Sequence, residues 1–66
     1  MLEPELLDPA TAARLLNIGR TTVYSMIARD LVPHVRIGRS VKIPRRALLE
    51  WIDDAAATGR RIDTRP

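Results

Sequence analysis

The chain has 66 residues, enough for one small domain with a thin core but not for an enclosed substrate pocket. It contains no cysteine, which excludes disulfides and thiolate metal sites. No apolar run approaches the roughly 18 residues of a membrane span, so the composition predicts a cytoplasmic protein without a membrane partner.

Positive charge is concentrated in the middle of the chain. The formal net charge is +3, but residues 1–18 carry −2, residues 19–46 carry +6 and residues 47–66 carry −1. The bases of the middle segment are Arg20, Arg29, Arg36, Arg39, Lys42, Arg45 and Arg46. Such clustering indicates a nucleic-acid footprint, the alternative being a solvated surface of mixed sign.

The first half of the chain predicts a helix-turn-helix. Residues 5–7 form a short strand or extended lead-in, and a first helix runs over about Pro9–Leu16. Asp8 is a natural N-cap, and Pro9 fits the first helical position because its missing N–H would have no partner there. Asn17 lies in the turn, where its tolerance of positive φ is useful.

A second helix is predicted over about Arg20–Asp30. Its apolar residues Val23, Met26 and Ile27 recur at helical spacing and should face the core. Two short helices joined by about three residues form the motif that places its second helix in the DNA major groove.

Alternation of apolar and polar residues follows Pro33 and predicts a hairpin, here called the wing. With Gly38-Arg39-Ser40 as the turn, Val35 and Ile37 should point inward together with Val41 and Ile43. The outer face would then be basic.

A last helix is predicted over roughly Arg45–Ala57, with Trp51 as a buried anchor and Gly59 as its stop. The expected organisation is a winged helix-turn-helix domain of the α+β class over residues 1–58. Residues 59–66 lack periodicity and are expected to be a disordered tail.

The start of the second helix carries the candidate base contacts, namely Arg20, Thr21, Thr22, Tyr24 and Ser25. Arg20 opposes the helix dipole, a cost of about 0.3–1 kcal/mol that a phosphate or guanine would offset. One of the two threonines is expected to cap the helix, and Tyr24 to bury its ring while its hydroxyl reaches a phosphate.

The wing carries a second group of candidates, Arg36, Arg39, Ser40 and Lys42. Arg39 at the tip is suited to a narrow minor groove, whose negative potential attracts arginine. The cations of the wing should share one face, although cations on exposed strands also block edge pairing. Arg45 and Arg46 open the last helix and are possible phosphate contacts.

Enzymatic chemistry is not expected, nor is a cofactor, a metal or a small-molecule substrate. The chain has a single histidine, His34, expected to be solvated, and no glycine loop or ligand spacing for phosphate or metal. Glu50, Asp53 and Asp54 share a helix face that is expected to be solvated, with a surface for a protein partner as the second interpretation.

Together these segments resemble the excisionase family, small winged helix-turn-helix proteins of the MerR-like superfamily. The resemblance covers about residues 5–53 and is carried by residues 9–24, 31–38 and 43–52. It implies a phage or mobile-element protein that binds double-stranded DNA at attachment-site arms, bends it and directs a tyrosine integrase toward excision. Gly19 departs from a common capping serine, and Ser25 from a common basic residue, which places more weight on Arg20 and the wing.

Two other functions use the same sequence features. A small transcriptional regulator would need the same DNA-binding surface, and a protein-interaction module would use the acidic face of the last helix. If the domain binds DNA, its small size predicts several copies that associate cooperatively on closely spaced sites.

Overall fold

The computed structural model describes residues 5–63 of the chain. Its elements, in chain order, are strand β1 (Leu6–Leu7), helices α1 (Pro9–Leu16) and α2 (Arg20–Ala28), strands β2 (Val35–Ile37) and β3 (Ser40–Pro44), and helix α3 (Arg45–Thr58). This order confirms the predicted α+β winged helix-turn-helix.

Helix α1 begins and ends at the predicted signals. The Asp8 carboxylate accepts a hydrogen bond from the Thr11 backbone N–H at 2.9 Å, and Pro9 is the first helical residue. At the other end Asn17 has φ 59°, as predicted, and the N–H of Ile18 donates to the Ala13 carbonyl at 3.0 Å. The left-handed residue thus reverses the chain and satisfies a terminal carbonyl of the helix.

Helix α2 ends at Ala28, two residues earlier than predicted. Asp30 has φ 58°, a conformation that Asp tolerates better than most residues, and the Leu31 N–H donates to the Met26 carbonyl at 2.8 Å. The helix therefore stops in a left-handed turn that the apolar periodicity of the sequence does not reveal.

The core lies where α1, α2, the sheet and α3 meet. Ala12 and Ala13 are buried on α1, so that α2 can approach closely. The largest fully buried side chains are Val23, Met26, Ile43 and Leu48. Both helices of the motif therefore contribute to one hydrophobic cluster with the sheet.

Strand β3 is the middle strand of an antiparallel sheet with the order β1-β3-β2. Its C-terminal half pairs with β1, Leu7 lying opposite Ile43, and both side chains are buried. The Glu5 carbonyl accepts a hydrogen bond from the Arg45 N–H at 2.8 Å, which ties the lead-in to the start of α3.

The register of the wing differs from the predicted one. Ile37 lies opposite Ser40, and the turn has two residues, Gly38 and Arg39, instead of three. Gly38 has φ 60° and Arg39 has no positive φ, a pattern typical of a type II′ turn with glycine first. A turn shorter by one residue shifts the register and moves one strand's side chains to the opposite face.

The inward orientation predicted for Val35 and Ile37 is therefore wrong. Val35 lies opposite Lys42, whereas Arg36 lies opposite Val41. Since opposed residues share a face of the sheet, the two apolar residues of β2 lie on the face away from Ile43. All three residues of β2 are exposed.

Helix α3 ends as predicted at Gly59, which has φ 65°. Leu48 is fully buried, while Trp51 is half-buried against the core instead of being its anchor. Residues 60–63 form no helix or strand, and Ile62 packs against the core. The domain boundary at residue 58 and the disordered tail over residues 59–66 stay predictions, and residues 64–66 of that tail lie outside the described residues.

The cap of α1 predicts a pH-dependent stability. Hydrogen bonds from the Thr11 hydroxyl and backbone N–H lower the pKa of Asp8, with smaller contributions from Lys42 and Arg14. A lowered pKa in the folded state means that the stabilisation is present above the unfolded value, about 3.9, and is lost as pH falls through the folded value. The melting temperature should therefore fall as the solution is acidified from about pH 5 to about pH 3.

Substitution isolates the contribution of this one carboxyl. Asp8→Ala should lower the melting temperature at neutral pH, whereas Asp8→Asn retains a cap acceptor that does not titrate. Thermal unfolding followed by circular dichroism should show a weaker pH dependence in Asp8→Asn than in the wild type. Identical pH profiles would show that the Asp8 carboxylate does not contribute.

Candidate nucleic-acid interface

Helix α2 and the wing border one open cleft of about 290 Å³. Its lining residues are Pro9, Tyr24, Arg39, Ser40, Val41 and Lys42. The structure thus brings one candidate from α2, here called the recognition helix, together with three from the wing. Pro9 and Val41 carry no sequence signal for this site beyond their roles at the helix start and in the sheet.

The first turn of α2 presents polar side chains on a helix end without a side-chain cap. Arg20 and Thr21 are exposed, and Thr22 and Ser25 are half-buried. Gly19 is the N-cap and no side chain bonds to this end, so the expectation that a threonine caps the helix is wrong. The first turn contains no acidic residue, and its positive end is therefore electrostatically open to an anion.

Tyr24 does not bury its ring, contrary to the prediction. Its side chain is 54% exposed and lines the cleft one turn beyond Arg20. A tyrosine in this position presents both an aromatic face and a hydroxyl, which can donate to a phosphate oxygen.

The cations of the wing do not share one face. Arg39 is exposed at the tip, and Lys42 is half-buried in the cleft, where its charge helps to lower the pKa of Asp8. Arg36 lies opposite Val41 and so points to the other face from Lys42, outside the cleft lining. Arg36 is therefore not among the lining residues, although Val41 opposite it is, while Arg39, Ser40 and Lys42 lie together.

The start of α3 resembles that of α2 in its electrostatics. Pro44 is the N-cap, no side chain bonds to this end, and the first turn contains no acid. Arg46 is exposed and Arg45 is half-buried, its backbone N–H being held by Glu5. Both guanidinium groups stay candidates for phosphate contact.

The remaining polar side chains of residues 5–63 do not cluster as metal ligands. Within residues 5–63, no three His, Cys, Asp or Glu side chains come together as metal ligands. His34, expected to be solvated, is instead half-buried, with Nδ1 2.8 Å from the Val32 carbonyl oxygen and 3.9 Å from an Asp30 carboxylate oxygen. No helix in the described part of the chain is long and apolar enough to cross a membrane.

Comparison with known proteins agrees with this geometry. A family model described as a helix-turn-helix domain matches residues 6–56. A protein of Saccharopolyspora erythraea named "Probable excisionase" is 46% identical over 52 residues, which cover 79% of this chain and 49% of that protein. A protein of Mycobacterium tuberculosis, named as a candidate DNA-binding protein, is 31% identical over 49 residues, covering 74% of this chain and 63% of that protein.

The chain belongs to the helix-turn-helix domain family, and its resemblance to excisionases is confirmed. It is a DNA-binding domain of a non-enzymatic family. The chain spans about half to two thirds of the length of these curated relatives. No solved structure matches it.

The position of Arg39 predicts a loss of DNA affinity without a loss of fold. Arg39→Ala should weaken binding and, if the guanidinium neutralises a phosphate, reduce the slope of log Kd against log salt by roughly one. The melting temperature should barely change, because Arg39 is exposed at a turn. Fluorescence anisotropy of a labelled duplex at several salt concentrations measures the slope.

Arg61→Ala is the matched control, since it removes the same charge from an exposed residue outside the cleft. Equal effects of the two substitutions would mean that only net charge matters. An unchanged affinity of Arg39→Ala with an intact fold would exclude a DNA contact by the wing tip.

Proposed function

We propose that this protein is an excisionase, which binds attachment-site arm DNA, bends it and directs a tyrosine integrase toward excision of a phage or mobile element. The observation that carries the proposal is the cleft in which Tyr24 of α2 faces Arg39, Ser40 and Lys42 of the wing. The 46% identity to a protein named "Probable excisionase" supports the specific role.

The proposed binding mode uses both sides of the cleft. Helix α2 enters the major groove with Arg20, Thr21, Thr22 and Ser25 toward base edges, while the wing reaches an adjacent minor groove with Arg39. Tyr24, Lys42 and the start of α3 are then placed to contact the phosphates between the two grooves. The protein performs no covalent chemistry and acts by shaping the DNA on which an integrase works.

Arg20 provides the test of direct base recognition. If Arg20 donates two hydrogen bonds to a guanine, Arg20→Ala should cost about 1–3 kcal/mol of binding free energy and relax the preference at one base position. Arg20→Lys should retain part of the affinity but lose that preference, because lysine cannot form the same planar pair of hydrogen bonds.

The wild type, Arg20→Ala and Arg20→Lys can be compared by selection from a randomised duplex library. Affinities are then measured on single-base variants of the selected sequence. A similar loss on every sequence would reassign Arg20 to a phosphate contact. No loss at all would remove Arg20 from the interface.

The small size of the domain favours action by several copies. A single module of this kind buries only about 600–1,000 Å² on DNA, too little for strong specificity. Cooperative binding to neighbouring sites would supply the missing specificity, and the added contacts would offset the roughly 1–6 kcal/mol needed to bend the DNA. The edge of the wing, the acidic face of α3 and the residue 5–7 segment are the surfaces available for a neighbouring copy or an integrase.

An in vitro excision assay with a tyrosine integrase and its attachment-site DNA, run with and without this protein, tests the role directly. We expect excision to depend on the protein, and gel shifts on duplexes with one, two and three sites to show cooperative, bent complexes. Independent binding without bending and without an effect on excision would favour a transcriptional regulator that uses the same surface. Weak, salt-insensitive DNA binding would instead favour the protein-interaction module.

A further inference from the structure

Strand β2 presents an apolar surface that the DNA contacts proposed above do not use. Ile37 is 55% exposed and Val35 is 39% exposed, on a strand with no neighbour on its outer side within the described sheet. Single exposed apolar side chains are common on proteins, but two on the same face of a three-residue edge strand form a local patch.

The register connects this patch to the cleft. Ile37 lies directly opposite Ser40, and Val35 directly opposite Lys42. Because opposed residues share a face of the sheet, the apolar pair shares a face with Ser40 and Lys42, whereas Val41, which also lines the cleft, shares a face with Arg36. The patch does not itself line the cleft, but it adjoins the tip of the wing, where only Gly38 separates Ile37 from Arg39.

The charge of the surrounding segment indicates what kind of molecule contacts this patch. From residue 31 to residue 46 the sequence contains five Lys or Arg and no Asp or Glu. A second copy of the same surface would be repelled by this charge, whereas a polyanion would be attracted. An apolar patch beside cations matches the DNA minor groove, where apolar sugar C–H groups form the walls and phosphates form the rims.

We infer that Ile37, supported by Val35, packs against the sugar walls of the minor groove beside Arg39 and makes the wing prefer base pairs without a guanine amino group. The inference rests on the proposed insertion of the wing. Guanine N2 is the donor that distinguishes G·C from A·T in this groove. An isoleucine side chain cannot accept a hydrogen bond from that amino group and would remove its water, which disfavours binding at G·C.

Substitution of inosine for guanine distinguishes recognition in the minor groove from recognition in the major groove. The test does not require the target sequence to be known. An inosine–cytosine pair has the major-groove groups of G·C but lacks the amino group in the minor groove. We therefore compare duplexes of equal length made of alternating I·C or alternating G·C pairs. The wild-type protein should bind the I·C duplex more tightly, by about threefold to tenfold.

Two variants test the role of the side chain. Ile37→Thr retains the β-branched shape suited to a strand but replaces the apolar end with a hydroxyl. It should bring the I·C to G·C ratio toward one and leave the salt dependence unchanged, because no charge is removed. Leu15→Gln makes a similar change at a residue of α1 that is 44% exposed and lies outside the cleft lining, and it should leave the ratio unchanged.

Melting curves confirm that each variant is folded, and anisotropy titrations give the affinities. Equal wild-type affinity for the two duplexes, or an unchanged ratio in Ile37→Thr, would overturn the inference. A change in cooperativity alone would overturn it as well and assign the patch to contacts between copies. Failure of the wild type to bind any duplex would instead reject the proposed DNA interface, so the two failures are distinguishable.

Discussion

The pairing of β3 on both of its edges is the constraint on which the rest of the domain depends. The C-terminal half of this strand pairs with β1 and buries Ile43, whereas its N-terminal half pairs with β2 to form the wing. The strand also contacts α1 and α3 and leads directly into α3. Five consecutive residues therefore join the hydrophobic core to the surface that borders the cleft.

This arrangement explains how so short a chain can hold the two candidate DNA-binding elements, α2 and the wing, in a fixed relation. Ile43 is fully buried against the cluster that also holds Val23 and Met26 of α2. A shift of β3 would expose Ile43, so the burial of one side chain opposes any sliding of the wing relative to the recognition helix. The geometry of the cleft is thus a consequence of core packing, and no disulfide or metal is required for it.

The sequence predicts the helices well because their boundaries depend on local chemistry. Asp8 and Pro9 begin α1, Asn17 adopts the positive φ that the turn needs, and Gly59 ends α3. Each of these signals acts through the residue's own backbone or a neighbour within one helical turn. The end of α2 was misplaced because Asp30, unlike glycine, is a weak signal for a left-handed turn.

The wing shows why the orientation of its side chains is harder to predict from the sequence than the helices are. The apolar and polar residues of the hairpin alternate with a period of two, and that pattern fits either face equally well. The choice between them depends on whether Ser40 belongs to the turn or pairs with Ile37, and the structure shows the pair. One residue of turn length decides that Ile37 shares a face with Ser40 and Lys42, and that Arg36 lies on the other face with Val41.

The electrostatics of the helix starts favour α2 and α3, and not α1, as the helices that contact DNA. Only α1 has a side-chain cap, whereas α2 and α3 begin after Gly19 and Pro44 and carry arginine in their first turn. Arginine at a helix start opposes the dipole, and an absent cap leaves backbone N–H groups without a side-chain partner. Violations of local stability rules are expected at functional sites, where a ligand compensates for them. Phosphate groups of DNA would offset the arginine charge at both starts and accept hydrogen bonds from the N–H groups of α2, whereas the Arg45 N–H already donates to the Glu5 carbonyl. The two helices without a side-chain cap are the ones that carry candidate DNA contacts.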